Sequence, residues 1–381
     1  MAVFSPFCPV DIRILDKVKG LEAIESLLDG TIGLCVLASD TMAARLSLHN
    51  YLKGLLARHG GVWLKDIPAN PSVFDVTQAL KALYAKPVNA ILSIGGGSAI
   101  DLGKAIAAFH GLFDENRLTE ENVGNAIAKK AYEKARDIPI HLAVPTTAGT
   151  GSEVTRWATV WNPACQQKLS VDWAPLFPRA AVIIPEFTMT MSPELTLSTG
   201  LDALSHAMEA FWAKSSTPLA KALALSAIDK IRSFLPYAVR PENKESLPHR
   251  EGMCLGSLLS GLAFSITRTT ACHAISYPLT MLHHISHGFA AALTLRSVMD
   301  RNEAAVKEIQ CIRAIFEADG GFDAWLYHLA GPIQPLRLSA FGIWHDDLPA
   351  IADLSFTAGR MDNNPIVFDR QDVLAILENC L

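Results

Sequence analysis

The sequence predicts an α/β domain built on a parallel sheet over residues 1–190, followed by an all-helical domain over residues 191–381. Three observations lead there. The chain has 381 residues, half of them apolar, which exceeds the size at which a single hydrophobic core stops growing, so two domains are expected. Up to about residue 190, short β-branched or apolar runs alternate with helical stretches, the pattern of a parallel sheet with crossover helices. Beyond Ser192-Pro193 the strand signals vanish and long helical periods take over.

In chain order, the strands are expected at Thr31 to Ala38, Ala90 to Ile94, Ile138 to Val144 and Ala180 to Ile184, because these short runs are apolar and bounded by turn residues. Helices are expected at Thr41 to His59, Asp75 to Tyr84 and Ser98 to Phe109, then at Leu201 to Lys214, Leu219 to Phe234 and Glu251 to Phe264. The first of the later helices is expected to start after Thr199-Gly200 and to stop near Ser215-Ser216-Thr217-Pro218.

The 33 basic and 38 acidic residues leave a formal charge of −5, which offers no electrostatic footprint for nucleic acid or an anionic membrane. The start of the chain lacks the basic segment and apolar run of a signal peptide, and no apolar stretch reaches spanning length, so a cytoplasmic protein is expected. Seven cysteines (8, 35, 165, 254, 272, 311 and 380) form no Cys-x-x-Cys pair. Neither a disulfide framework nor a zinc knuckle is indicated, and Cys272 is read as a packed thiol.

Asp202 and His206 stand four residues apart in Gly200-Leu201-Asp202-Ala203-Leu204-Ser205-His206-Ala207, so both project from one helix face. Cys272-His273-Ala274 and Ser286-His287-Gly288 supply two more imidazoles. A carboxylate with three imidazoles suits Fe(II) or Zn(II) better than Mg(II) or Ca(II), which prefer oxygen.

The strand ending at Ile94 runs into Gly95-Gly96-Gly97-Ser98 and a helix containing Asp101 and Lys104. Glycines let backbone N–H groups approach a pyrophosphate, and a helix N-terminus adds free donors and a favourable dipole. Ile100 stands where a Gly-x-Gly-x-x-Gly fingerprint would need its last glycine, so this is no standard Rossmann loop. A second segment, Val144-Pro145-Thr146-Thr147-Ala148-Gly149-Thr150-Gly151-Ser152-Glu153-Val154-Thr155, offers many donors to a phosphate, ribose or nicotinamide amide. Asp40, after the first strand, is either a ribose acceptor or the N-cap of the next helix.

Taken in order, Gly95-Gly96-Gly97-Ser98, the Pro145-to-Thr155 loop, the Asp202/His206 helix and the His273/His287 segment resemble the iron-containing alcohol dehydrogenase family, whose fold is related to that of dehydroquinate synthase. The resemblance extends to the closing Asp362-Asn363-Asn364-Pro365. It implies a dinucleotide-binding α/β domain, a helical metal-binding domain, and Asp202, His206, His273 and His287 as ligands to Fe2+, with Zn2+ the alternative. NAD(H) or NADP(H) would lie on Gly95, Gly96, Gly97, Ser98 and Asp101, with Thr146, Thr147, Gly149 and Ser152 lining it. Asn70-Pro71 resembles a cofactor-side turn of the family and also reads as a plain loop punctuator. A homodimer is implied, as is hydride transfer to an aldehyde polarised by the metal.

Many members of the family have a histidine four residues after the third ligand, where this chain has Tyr277. Tyr277 is the candidate proton donor, with His283 and His284 as alternative relays. Ahead of the third ligand, Arg268 stands in Ser265-Ile266-Thr267-Arg268-Thr269-Thr270. A guanidinium there suits an oxyanion on the substrate, the alternative being a structural salt bridge. The run from Thr267 to Thr280 resembles that of the family's phosphonoacetaldehyde reductases. A small anionic aldehyde is the implied substrate; a neutral short-chain aldehyde or diol, a lyase reaction of the dehydroquinate-synthase type and a non-catalytic sensor are the rivals.

Overall fold

The structure is a computed structural model that describes residues 8–163, 167–240, 242, 246–356 and 359–381; the expected thiol Cys165 and the segment Met1 to Phe7 lie outside them. The chain forms two compact units. One comprises the residues up to Thr147 with Ser152–Thr190, and the other Ala148–Gly151 with Met191–Leu381.

The first unit is built on β1 (Asp11–Ile14), β2 (Leu34–Leu37), β3 (Gly61–Leu64), β4 (Ala90–Gly95), β5 (Ile140–Pro145) and β8 (Ala180–Ile183), ordered β1-β8-β5-β4-β2-β3 with every pair parallel. β6 (Trp157–Asn162) and β7 (Gln167–Asp172) form a separate antiparallel hairpin. Helices α1 (Lys17–Leu28), α2 (Asp40–Arg45), α3 (His49–His59), α4 (Val73–Ala82), α5 (Gly97–Phe109) and α6 (Glu120–Ala128) complete the unit.

β2, β4 and β8 are buried along their whole length, as strands covered on both faces must be, and so read as continuous apolar runs. The period of two sorts their side chains. Cys35 and Leu37 enter the core shared with α4, α5 and α6, while Leu34 and Val36 enter the core shared with α1 and α3. Each fully buried leucine or isoleucine contributes about 2 kcal/mol. From β2 the chain steps outward to β3, whereas from β4 it steps the other way to β5. The carboxyl ends of β2 and β4 therefore flank the point where the winding reverses, which is where open α/β sheets bind ligands.

Three local expectations are corrected. The helix expected over Thr41 to His59 is two helices, because Ser47 adopts a left-handed φ of 57° and the break turns both Leu46 and Leu48 into one core. β1 and β3 were not anticipated: they are four-residue edge strands with no fully buried residue, and Asp11 and Arg13 break up the apolar run of β1. The β6–β7 hairpin was also missed, its strands mixing tryptophan and threonine with charged residues.

The α-helices of the second unit are α7 (Pro193–Trp212), α8 (Pro218–Ala238), α9 (Leu247–Thr267), α10 (Ala271–His283), α11 (His287–Ala292), α12 (Leu295–Asn302), α13 (Ile309–Ile315), α14 (Phe322–Ala330), α15 (Leu348–Leu354) and α16 (Arg370–Glu378), and no strand occurs among its described residues. α7, α8 and α9 pack on one another, and Ser260 of α9 donates to Ala203 O of α7 at 2.7 Å. α7 starts eight residues before the expected Leu201. Ser192 caps it by accepting from Leu195 N, and Pro193 occupies the first turn, where its missing N–H costs nothing. Gly200 is a packing residue inside this helix, since a Cβ there would come within 2.5 Å of the Leu235 side chain on α8. No helix among the described residues is long and apolar enough to cross a membrane.

Candidate metal centre

α7 presents Asp202 and His206 on one buried face, one turn apart. α10 brings His273 beside them, and donor atoms of these three residues lie within 4.8 Å of one another. Asp202 Oδ1 is 3.9 Å from His206 Nε2 and 3.5 Å from His273 Nε2. His287, the first residue of α11, places its Nε2 4.0 Å from the same oxygen. The three expected imidazoles thus converge on a single oxygen of the expected carboxylate.

Glycine chemistry brings the fourth one in. A Cβ on Gly288 would lie 1.8 Å from Ser198 O, so only glycine lets α11 approach the backbone of α7 this closely. Ser198 and Ser286 hydroxyls pair across the same contact at 2.6 Å. The rings are stacked as well: His206 lies between Phe264 at 4.1 Å and His273 at 4.4 Å.

Glu209, third after His206 on α7, escaped the sequence reading. It is fully buried. Its Oε1 accepts from Thr270 Oγ1 and Cys272 N, each at 2.7 Å, and its Oε2 accepts from His273 Nδ1. Trp212 Nε1 donates to Thr270 Oγ1 at 3.0 Å. The available signal was the seven-residue spacing from Asp202, which puts Asp202, His206 and Glu209 on one helix face.

This donor set fits a divalent cation. With His273 Nδ1 directed to Glu209, its Nε2 faces Asp202 Oδ1, and both atoms are buried without a hydrogen-bond partner. Two facing acceptors in a dry site need a positive charge. The two carboxylates draw positive charge to this point: burial alone would lower His273, but Glu209 and Asp202 raise it to about 9. Burial would raise Asp202, yet the three imidazoles hold its carboxyl well below the usual carboxylate range.

Tyr277, one turn after His273, is buried and stacks on His287 with ring centres 6.0 Å apart. His283 and His284 stand at the opposite end of α10, where His284 caps the helix in a left-handed conformation. Arg268 ends α9 at φ 64°, strained for a side chain larger than glycine, and its guanidinium runs beside Gly359. Asn363 of the closing motif brackets it, donating through Nδ2 to Thr267 O at 2.8 Å and Thr269 O at 3.1 Å. Two hydroxyls flanking Arg268 are engaged internally, Thr267 with Arg268 O and Thr270 with Glu209.

In the sheet unit, Gly96 caps α5 with its backbone, and no side chain among the described residues caps that helix. Its first turn therefore keeps free N–H donors. Ser98 Oγ accepts from Asn70 N at 3.1 Å, and Asn70 sits at a left-handed φ of 54°. Thr146 N donates to Gly95 O at 3.0 Å, and a Cβ on Gly96 would touch Thr147 Oγ1 at 3.2 Å. These expected cofactor residues therefore form one cluster at the ends of β4 and β5. Asp40 is the first residue of α2 and not its cap, a role filled by Ser39. Its exposed carboxylate instead meets Lys65 at 2.8 Å and His49 at 3.2 Å.

Asp101 and Ser152 bond to each other and are tied to Lys104. Lys104 is wholly buried, and its ammonium donates to Ser152 O, Ser152 Oγ, Thr155 Oγ1 and Trp157 O at 2.6–3.0 Å. Burial draws it down to about 8. Gly149 belongs with the helical unit, where a Cβ would lie 2.5 Å from Thr199 O of α7.

A buried carboxylate–imidazole cluster on helices, in a chain that also carries a glycine turn at a sheet switch point, could hold a metal ion and a nucleotide. Residues 19–185 match the family model described as iron-containing alcohol dehydrogenase, and residues 196–381 match that for the C-terminal part of the Fe-containing alcohol dehydrogenase family. Alcohol dehydrogenase 4 of Saccharomyces cerevisiae strain ATCC 204508 / S288c is 30% identical over 318 residues, 81% of this chain and 80% of that protein. Sulfoacetaldehyde reductase of Bilophila wadsworthia is 28% identical over 382 residues, 95% and 96% of the two chains. A crystal structure of an iron containing alcohol dehydrogenase superposes with a TM-score of 0.83 at 28% identity, covering 100% of this chain and 99% of that one. The chain belongs to the iron-containing alcohol dehydrogenase family and is an oxidoreductase.

Proposed function

We propose that the protein reduces a small anionic aldehyde with NADH or NADPH, and that phosphonoacetaldehyde, reduced to 2-hydroxyethylphosphonate, is its substrate. The observation that carries this reading is Arg268, half-buried five residues ahead of His273 and held at a positive φ by the Asn363 clamp. Strained backbone around an arginine, kept in place by dedicated hydrogen bonds, suits a group that must reach an oxyanion in one orientation. The likeness to a protein named for sulfoacetaldehyde, itself a small anionic aldehyde, supports the same substrate class.

When bound, Fe2+ (or Zn2+) supplies Lewis acidity at the aldehyde oxygen and the reduced nicotinamide supplies a hydride to its carbon. The chain does the rest. Asp202, His206, His273 and His287 hold the ion, and Arg268 takes the phosphonate through charge-assisted hydrogen bonds. Tyr277, buried against His287, holds a proton at its phenolic oxygen for the product alkoxide. Gly95, Gly96, Gly97 and Ser98 offer backbone and hydroxyl donors to the pyrophosphate, Thr146 and Thr147 line the cofactor, and Asn70 steadies Ser98. Gly149 permits close passage of the loop, Asp101 and Ser152 hold the loop through Lys104, and Asp40 accepts the adenosine ribose hydroxyls.

The test is cofactor oxidation by the Fe(II)-loaded protein with phosphonoacetaldehyde, propionaldehyde and lactaldehyde, comparing wild type with Arg268→Ala. A preference for phosphonoacetaldehyde that drops by about 100-fold in the variant, as expected for losing a strong charge-assisted pair of about 3 kcal/mol, supports the proposal. Equal rates with all three aldehydes, unchanged in the variant, would sink the anionic substrate and leave a general aldehyde reductase.

A further inference from the structure

We propose that Glu209 is a positioning residue of the metal centre: its carboxylate fixes the ring proton of His273 on Nδ1 and so leaves Nε2 bare toward Asp202 and His206. The proposal rests on the reading of Asp202, His206, His273 and His287 as a metal site. Three features of the geometry carry it.

The carboxylate is anchored before it meets the imidazole. Oε1 is held by Thr270 Oγ1 and Cys272 N, each at 2.7 Å, with His273 N at 3.4 Å. These donors sit on the first turn of α10 and the residue before it, so the group that orients the ring also fixes the backbone bearing it. Oε2 is then directed at His273 Nδ1. An ionised carboxylate accepts and never donates, so the shared proton belongs to Nδ1. The opposite ring atom, Nε2, lies 3.5 Å from Asp202 Oδ1 with no hydrogen-bond partner, as a ligand atom should. Finally, Glu209 shares its helix with Asp202 and His206. A single rigid element therefore supplies two ligands and the orientation of a third.

The test is metal affinity and not turnover. Glu209→Gln is nearly isosteric and keeps an oxygen for Cys272 N and Thr270 Oγ1, which turns the amide NH2 toward His273. That donor makes Nδ1 an acceptor and drives the ring proton onto Nε2, the atom needed for the metal. Cobalt(II) titrated into metal-free protein, followed by its visible absorption, is expected to bind Glu209→Gln about 10–100-fold more weakly than wild type. Thr270→Val, which removes an anchor but leaves the carboxylate facing the ring, is expected to lose less than about fivefold, within one ordinary hydrogen bond.

Near-native cobalt affinity in a folded Glu209→Gln protein would overturn the assignment. Should that variant not fold, 15N-histidine NMR of the zinc-loaded wild type decides: a proton on His273 Nδ1 with Nε2 bare supports it, and a bare Nδ1 overturns it. Wild type that binds neither cobalt nor zinc removes the metal reading together with the role of Glu209, whereas binding that is merely indifferent to Glu209→Gln removes only the latter.

Discussion

Single atoms decide whether the centre forms. Gly288→Ala would set a methyl 1.8 Å from Ser198 O, a backbone atom that no rotamer change can move. We expect this substitution to cost about 1–3 kcal/mol from overpacking and to weaken cobalt binding, because α11 must back away from α7 and take His287 with it. Gly54→Ala on α3, where nothing lies within 4 Å, should instead stabilise the protein by about 0.4–1 kcal/mol; thermal unfolding of both variants checks the contrast. That Asp202, His206, His273 and His287 come together was legible in the sequence from the four-residue spacing on α7 together with the order of the motifs in the family resemblance. Glu209 and Asn363 were not, since a glutamate on an apolar helix and an asparagine in a turn acquire their roles only from what the fold sets against them. Arg268 was legible as a charge, but its left-handed backbone was not.

At the scale of elements, the sequence pattern located the buried strands and missed the edges. β2, β4, β5 and β8 announce themselves as apolar runs, whereas β1 and β3 have too few buried residues to stand out. Helix starts depended on caps: Ser192-Pro193 outweighed Thr199-Gly200 as the start of α7, because a capping hydroxyl followed by proline fits a first turn while an interior glycine can serve packing. The glycine turn after β4 was visible, but the device that ties α5 to the hydroxyl-rich loop, Lys104, was noticed without a role. Lys104→Met should cost about 3–5 kcal/mol, since it takes the buried cation from Asp101 and a donor from the carbonyls of Ser152 and Trp157. It should also raise KM for NADH by more than it lowers kcat, because the loop carrying Ser152 loses its anchor. Urea unfolding and steady-state kinetics measure the two effects, and an unchanged KM would show that the network serves stability alone.

For the whole molecule, the fold class and its two-unit construction followed from length, alternation and the loss of strands after residue 192. What could not be read was the exchange of four residues, Ala148–Gly151, into the helical unit, because Gly149 and Gly151 owe their identity to α7 and α9 and not to their neighbours in sequence. The sheet unit also buries an acid-sensitive group. His141, paired with Ser93 at 2.9 Å, is pushed down to about 3 by burial and by Lys104. Between about pH 6.5 and 3 the unfolded chain binds a proton there that the native state refuses, so stability falls as pH falls through that window, by up to about 1.4 kcal/mol per unit. Urea unfolding at pH 7.5 and pH 5 should differ by about 2 kcal/mol from this residue, a difference that His141→Leu removes; an equal pH dependence in the variant would locate the acid sensitivity elsewhere. The central claim, a metal-dependent reductase, is tested most directly by following NADH and NADPH absorbance in Fe(II)-loaded protein given phosphonoacetaldehyde, with Asp202→Asn as the control. We predict one cofactor oxidised per alcohol formed and loss of at least about 100-fold in the control, in keeping with removal of a charged metal ligand. Substrate conversion with no net cofactor oxidation, or full activity in the control, would contradict it.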